Sequence, residues 1–326
     1  MAAVPPSSLP HSAVALIVLT LAFAALVCES KLSVDYYAKS CPRFNDIMQQ
    51  TITNKQITSS TTAAGTLRLF FHDCFLDGCD GSVLLSSTPF NSAERDAEIN
   101  LSLPGDAFDV IVRAKTALEL ECPNTVSCAD ILAVATRDLL IMLGGPHYTV
   151  YLGRKDSRIS KSSLAESDLP RPTLPMSRII DMFAKRGFTI QEMVALSGAH
   201  TVGLSHCKEF SFNLKNDTQY NPRFAQALQQ ACAGYPQNPT LSVFNDIMTP
   251  SKFDNLYFQN LPKGLGVLES DHGLYSDPRT IPFVELYAKD QNKFFQDFAI
   301  AMQKLSFYGI KTGRGGEIRR RCDAVN

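Results

Sequence analysis

This chain has no excess of either positive or negative charge. Its 326 residues carry 31 Lys and Arg against 32 Asp and Glu, a formal net charge of −1. That balance excludes a basic field able to hold nucleic acid or an anionic membrane surface. The one basic run, Arg319-Arg320-Arg321 beside Cys322, reads as a solvated, locally paired segment. A membrane-length apolar run is missing too. Ala13 to Val27, AVALIVLTLAFAALV, has only fifteen residues, too few to span a bilayer. It ends in Cys28-Glu29-Ser30 and reads as an export signal cleaved after Ser30, although its start lacks basic residues. Residues 1–30 are thus expected to leave. Removing Glu29 from a charge of −1 leaves 0 for the mature domain, 31–326. Internal repeats and low-complexity linkers are absent, which excludes solenoids and disordered tails. Alternating strand patterns are almost absent as well, and only YTVYLGRKDS, from Tyr148, tempts as a strand.

What is there is helical spacing. Phe108 to Cys122 and Ser127 to Leu143 place apolar residues three and four apart, and Gly144-Gly145-Pro146 stops the second. Met176 to Lys185 and Thr189 to Leu196 share the period, and Thr189-x-x-Glu192 is a capping box. Ile281 to Ser306 holds one or two further helices. The fold class is therefore mostly α, with LPRPTLP (169–175) as a long ordered loop and a candidate boundary between two helical lobes.

Cysteine is plentiful for an exported chain. Of nine, Cys28 leaves with the signal, and the remaining eight read as four disulfides. Counting alone leaves 105 pairings open.

The densest chemistry is RLFFHDCFLDGCDGS, Arg68 to Ser82. Arg68 and His72 are four apart at a helix end and share one face. Histidine takes and returns a proton near neutral pH, and arginine stays charged and stabilises an oxyanion. Taken alone, the pair is more often a core histidine beside a surface arginine.

The motif RLFFHDCF, followed in order by SCADILAVATRD, VALSGAHTVG, FDNLYFQNL and LESDHGLYSD, resembles the secreted plant haem peroxidases called class III. The likeness covers nearly all of Lys31 to Asn326. It implies a two-lobed helical fold with haem b between distal and proximal domains. It implies a peroxidase that reduces hydrogen peroxide and oxidises phenolic donors in successive one-electron steps. By the same resemblance His72 is the distal base, Arg68 stabilises the charge that develops as the O–O bond breaks, and Phe71 lies over the haem. Asn100 matches the asparagine that holds the distal imidazole. Its sequon, Asn100-Leu101-Ser102, should stay unglycosylated. His200 matches the axial ligand to iron, Asp271 the carboxylate behind it, and Pro170 the proline that helps hold the donor.

The resemblance also supplies two calcium sites and the disulfides. Asp73, Leu76, Gly78, Asp80, Ser82 and Glu94 match the first site, Leu76 and Gly78 through carbonyls and Glu94 through water. Thr201, Asp246, Thr249, Lys252 (carbonyl) and Asp254 match the second, so each ion would brace one histidine. The pairing implied is Cys41–Cys122, Cys74–Cys79, Cys128–Cys322 and Cys207–Cys232. Asn216-Asp217-Thr218 is the expected glycan site. A monomer in the extracellular space is expected. His147, His206 and His272 have no assigned role.

The chain departs from the family pattern in several places. The usual SLRGF reads SLPGDAF, and Asn245 stands where many relatives carry an apolar or aromatic side chain. At the donor entrance the usual aromatics are replaced by Glu98, Thr173 and Glu209, which should disfavour anionic donors, with Arg171 as a partial offset. Tryptophan is wholly absent, which argues against the branch that stores a radical on a proximal tryptophan. Two rivals remain at this level: a secreted metal-dependent hydrolase using His72, Cys74, Cys79 and Asp80, and a catalytically inactive wall-binding module.

Overall fold

The computed structural model describes residues 32–215 and 217–326. The expected leader and Asn216 lie outside the described residues. Twelve α-helices dominate the rest, with one two-stranded antiparallel ribbon. The first group is α1 (Phe44–Thr58), α2 (Thr62–Cys74), α3 (Gly105–Glu121) and α4 (Cys128–Met142). Helix α2 packs on α4 and α3, and α1 packs on both of those as well. After α5 (Ser162–Asp168) and the loop 169–175 comes the second group. It contains α6 (Met176–Lys185), α7 (Ile190–Ser197), α9 (Leu256–Asn260), α10 (Glu269–Leu274), α11 (Ile281–Lys289) and α12 (Gln291–Ser306). Helix α12 packs on α7 and also reaches α2, and so joins the two groups. A smaller core under α8 (Pro222–Ala231) gathers Phe210, Leu214, Phe224 and Leu228. Among the described residues no helix is long and apolar enough to cross a membrane.

Local chemistry accounts for the helix ends near the site. Thr189 caps α7 in a complete capping box with Glu192. The helix then runs into a tight turn, Gly198–Thr201, that carries His200. Gly198 is needed there, because a Cβ would lie 2.4 Å from Phe294 of α12.

Two expectations fail. YTVYLGRKDS forms no strand, only single bridges from Leu152 to Ser33 and from Asp156 to Glu317. Two of its backbone N–H groups go to one side chain, while those of Lys155, Asp156 and Ser157 go to the carbonyls of Lys311, Glu317 and Asp80. Asp130, at the start of α4, accepts from Gly153 at 2.6 Å and Arg154 at 3.3 Å. The Arg154–Asp130 pair, 2.9 Å apart, is 0% exposed on both sides, so this segment is a charged core connector. The ribbon forms elsewhere, between β1 (Leu204–His206) and β2 (Ser242–Phe244). The basic run also divides. Arg321 is exposed and pairs with Asp323, but Arg319 is fully buried and donates to the carbonyls of Cys322 and Gly81.

The four disulfides join Cys41–Cys122, Cys74–Cys79, Cys128–Cys322 and Cys207–Cys232.

Candidate active site

His72 sits in the last turn of α2, buried. Its Nδ1 lies 2.5 Å from Asn100 Oδ1, and Asn100 Nδ2 donates to the Glu94 carbonyl at 2.7 Å. An amide oxygen only accepts, so Nδ1 must carry the proton and Nε2 is the free base. Arg68 Nε donates to that Nε2 at 3.2 Å, and Arg68 is held from behind by the Ile99 carbonyl and Ser102 Oγ. Burial first, then the Arg68 charge, pushes the His72 imidazole down to about 3, against a smaller opposing effect of Asn100. Burial also lowers Arg68 to about 10, which leaves it charged at neutral pH. The arrangement is an uncharged base beside a fixed cation.

His200 belongs to the second helical group. Its Nδ1 donates to Asp271 Oδ1 at 2.8 Å. The same oxygen accepts from Tyr257 Oη at 2.7 Å, while Oδ2 accepts from Val267 and Leu268 N–H. Burial raises the Asp271 carboxyl, but His200 and these donors outweigh it and hold it below the ordinary range. A carboxylate fixed by four donors orients the ring and leaves Nε2 with no hydrogen-bond partner among the described residues. The His200 side chain stays 35% exposed although Thr201 and Leu196 beside it are core. Arg68 and Phe71 are likewise only half-buried, with Phe71 stacked on Phe75 at 4.8 Å. A ligand-ready imidazole and half-exposed side chains amid core fit an axially held planar group such as haem.

The acids gather in two clusters. Asp73 accepts from Gly81 and Val83 N–H, Asp80 from Ser82 N–H, and Ser82 Oγ donates to Glu94 at 2.8 Å. Burial, and then the charge of a neighbouring aspartate, raises Asp73 to about 7 and Glu94 to about 8. Leu76 and Gly78 lie buried on the disulfide-closed loop between them. In the second cluster Asp254 Oδ1 takes the hydroxyls of Thr249 at 3.2 Å and Thr201 at 3.5 Å, while Lys252 Nζ is 3.6 Å from Oδ2. Among the described residues Asp246 Oδ2 is buried with no hydrogen-bond partner. Crowded carboxylates and an unsatisfied buried oxygen fit a hard cation with oxygen ligands. Among the described residues no three His, Cys, Asp or Glu side chains form a metal site by themselves, so hydroxyls and carbonyls would complete either sphere.

The hydrolase alternative fails here, because Cys74 and Cys79 are bonded to each other and cannot bind a metal. The sequence model of the family described as Peroxidase matches residues 46–290. The chain belongs to the peroxidase family. It is 66% identical over 324 residues to Peroxidase 63 of Arabidopsis thaliana, covering 98% of this chain and 99% of that protein. It is 71% identical over 299 residues to Peroxidase 31 of the same plant, covering 91% and 95%. The protein is a haem peroxidase of the plant class III type.

Several partners in this peroxidase site were not found from sequence. Tyr257, Ser102 and Asn260, which donates to Asp246 at 3.2 Å, act across the chain. Lys311 pairs with Asp80, adding a cation to the first acid cluster. Asn245 is buried, its amide taken by Ser205 Oγ at 2.6 Å and the Val202 carbonyl at 3.3 Å. His272 is buried between Asp217 and the Gly266 carbonyl, whereas His147 is exposed and His206 is half-buried. The altered segment SLPGDAF starts α3. Pro104 packs where a Gly65 Cβ would come within 2.3 Å of it, and Asp106 takes Lys55, Ser59 and Thr61.

Proposed function

We propose that this peroxidase is exported, with residues 1–30 as the leader and 31–326 as a monomeric haem domain, and that it oxidises small phenols at the expense of hydrogen peroxide. Haem b, when bound, supplies the redox centre that takes two oxidising equivalents from peroxide and gives them up singly. His200 would hold the iron, with Asp271 taking the Nδ1 proton. His72 Nε2 would accept a proton from peroxide and return it to the departing oxygen as water forms. Arg68 would stabilise the negative charge on that oxygen. Asn100 would keep His72 in the right tautomer, and Phe71 would cover the haem. Pro170, on the half-buried loop 169–175, would help hold the donor.

Two calcium ions would occupy the acid clusters, with Asp73, Leu76, Gly78, Asp80, Ser82 and Glu94 at the first and Thr201, Asp246, Thr249, Lys252 and Asp254 at the second. Asn216 would carry a glycan.

The observation that carries this reading is the pairing of one neutral, acceptor-ready imidazole beside a fixed arginine with a second imidazole backed by a carboxylate. The test is an absorption spectrum of purified protein, before and after peroxide and then with a phenol added. A haem band that shifts with peroxide and returns with phenol is expected. A protein without a haem band, or one whose band ignores peroxide, would sink the reading.

A further inference from the structure

The donor entrance is not simply acidic. Glu98 lies beside Ile99, whose carbonyl holds Arg68, so it stands on the rim of the His72 side. Its Oε2 takes Arg171 Nη1 at 2.8 Å and its Oε1 takes Lys208 Nζ at 3.1 Å. Glu166, from α5, binds the other Arg171 nitrogen and the Glu98 backbone N–H. Glu209 lies 3.5 Å from Lys208. Four chain segments thus meet in a network of three carboxylates and two cations. Both oxygens of Glu98 are engaged, and among the described residues Glu98 alone touches both cations.

We propose that Glu98 is a specificity-determining residue: by occupying Arg171 and Lys208 it keeps a donor's carboxylate from binding them, and so selects uncharged phenols over carboxylated ones. This rests on the phenol-oxidase reading above. It differs from repulsion by a negative edge, because the cations needed to bind an anion are present and only masked. Arg171 directly follows Pro170, so an unmasked guanidinium would stand where a donor's carboxylate could reach it. A bidentate guanidinium–carboxylate pair is the stronger form of such a contact. With the Glu98 side chain 56% exposed, water and salt weaken each pair, and the expected effect is correspondingly modest.

The experiment compares kcat/KM for ferulate and its methyl ester, which differ in the carboxylate alone. Wild type should favour the ester. Glu98→Gln should raise the ferulate-to-ester ratio by roughly fivefold, the scale of one partly exposed ion pair. Arg171→Gln with Lys208→Gln should not raise the wild-type ratio and should lower it somewhat, because the two cations are removed and three carboxylates are left uncompensated. The triple variant should lose the gain. A Glu98→Gln ratio equal to wild type, or a gain that persists in the triple variant, would overturn the masking proposal while leaving the phenol-oxidase reading intact. Wild-type protein that reacts with peroxide but oxidises neither phenol would overturn the donor-class reading and this proposal with it.

Discussion

A base is useful only while it is unprotonated, and at the residue scale burial beside Arg68 secures that for His72. Its folded value of about 3 lies below the ordinary 6.5, so the ring stays neutral through the mildly acidic range. Reaction with peroxide should therefore hold nearly constant on acidification and fall only as pH approaches that value, provided the protein stays folded; stopped-flow rates across pH would show it. Replacing His72 with Leu should leave haem bound and slow the peroxide step by at least about 10²–10⁴-fold, the usual worth of a positioned base. Wild-type kinetics in that variant would end the assignment. At the other histidine, Asp271 shares one oxygen between His200 and Tyr257. Asp271→Asn removes the charge that draws the imidazole proton, so the ferric/ferrous potential should rise. Tyr257→Phe frees that oxygen for the imidazole alone, so the potential should fall. Redox titration reads both signs, and a shift in the same direction for both variants would contradict this account.

At the scale of elements, the altered start of α3 is a joint. Asp106 in its first turn accepts from Lys55 at 2.8 Å, Ser59 at 2.5 Å and Thr61 at 2.7 Å, tying α3 to the end of α1 and the turn before α2. These bonds, led by Lys55, hold the Asp106 carboxyl down to about 2. A depressed folded value means the stabilisation is present above the unfolded value of about 4 and lost as pH falls through the folded one. Asp106→Ala should cost about 1 kcal/mol, discounted for partial exposure, or roughly 2 °C of melting temperature. The gap between the two melting curves should close between about pH 4 and pH 2; a gap that does not change over this range would show the joint is not ionic. Helices with strong period and clear stops were legible: Met176–Lys185 has the expected bounds, and the Thr189 capping box is present. Helix α1, FNDIMQQTITNKQIT, was not legible, because polar and β-branched residues blur its stripe. Helix α8 carries a local signal in Asn221, which caps it just before Pro222. The connector from Tyr148 alternates like a strand, but its partners are the Asp130 side chain of α4 and carbonyls far away in sequence, such as those of Lys311 and Glu317, which local spacing cannot reveal. The same holds at the site: the RLFFHDCF segment was readable because it is contiguous, whereas Tyr257 and Lys311 act from afar.

Over the whole molecule, the first acid cluster is coupled to the distal base by two routes. Asp73 directly follows His72 in sequence, and the Glu94 carbonyl holds Asn100, which holds the His72 ring. Lys311 neutralises part of the charge on Asp80, but Asp73 and Glu94 keep folded values near 7 and 8, far above their ordinary ones. In the ion-free protein these carboxyls prefer to be protonated. A raised folded value means stability is complete at low pH and is lost as pH rises through it. Chelator-treated protein should therefore melt higher at pH 6 than at pH 8.5, by an amount of order 2 kcal/mol in stability. Calcium-loaded protein should not follow this trend, because the ion balances the same charges without protons. Peroxide reactivity of stripped protein should drop as Asn100 loosens, with haem still bound. Scanning calorimetry of stripped and loaded samples at the two pH values, with metal analysis of fresh protein, makes the comparison. Fresh protein without tightly bound calcium would remove both proposed ions. Stripped protein that melts lower at pH 6 than at pH 8.5 would show that this acid cluster is not what the ion stabilises.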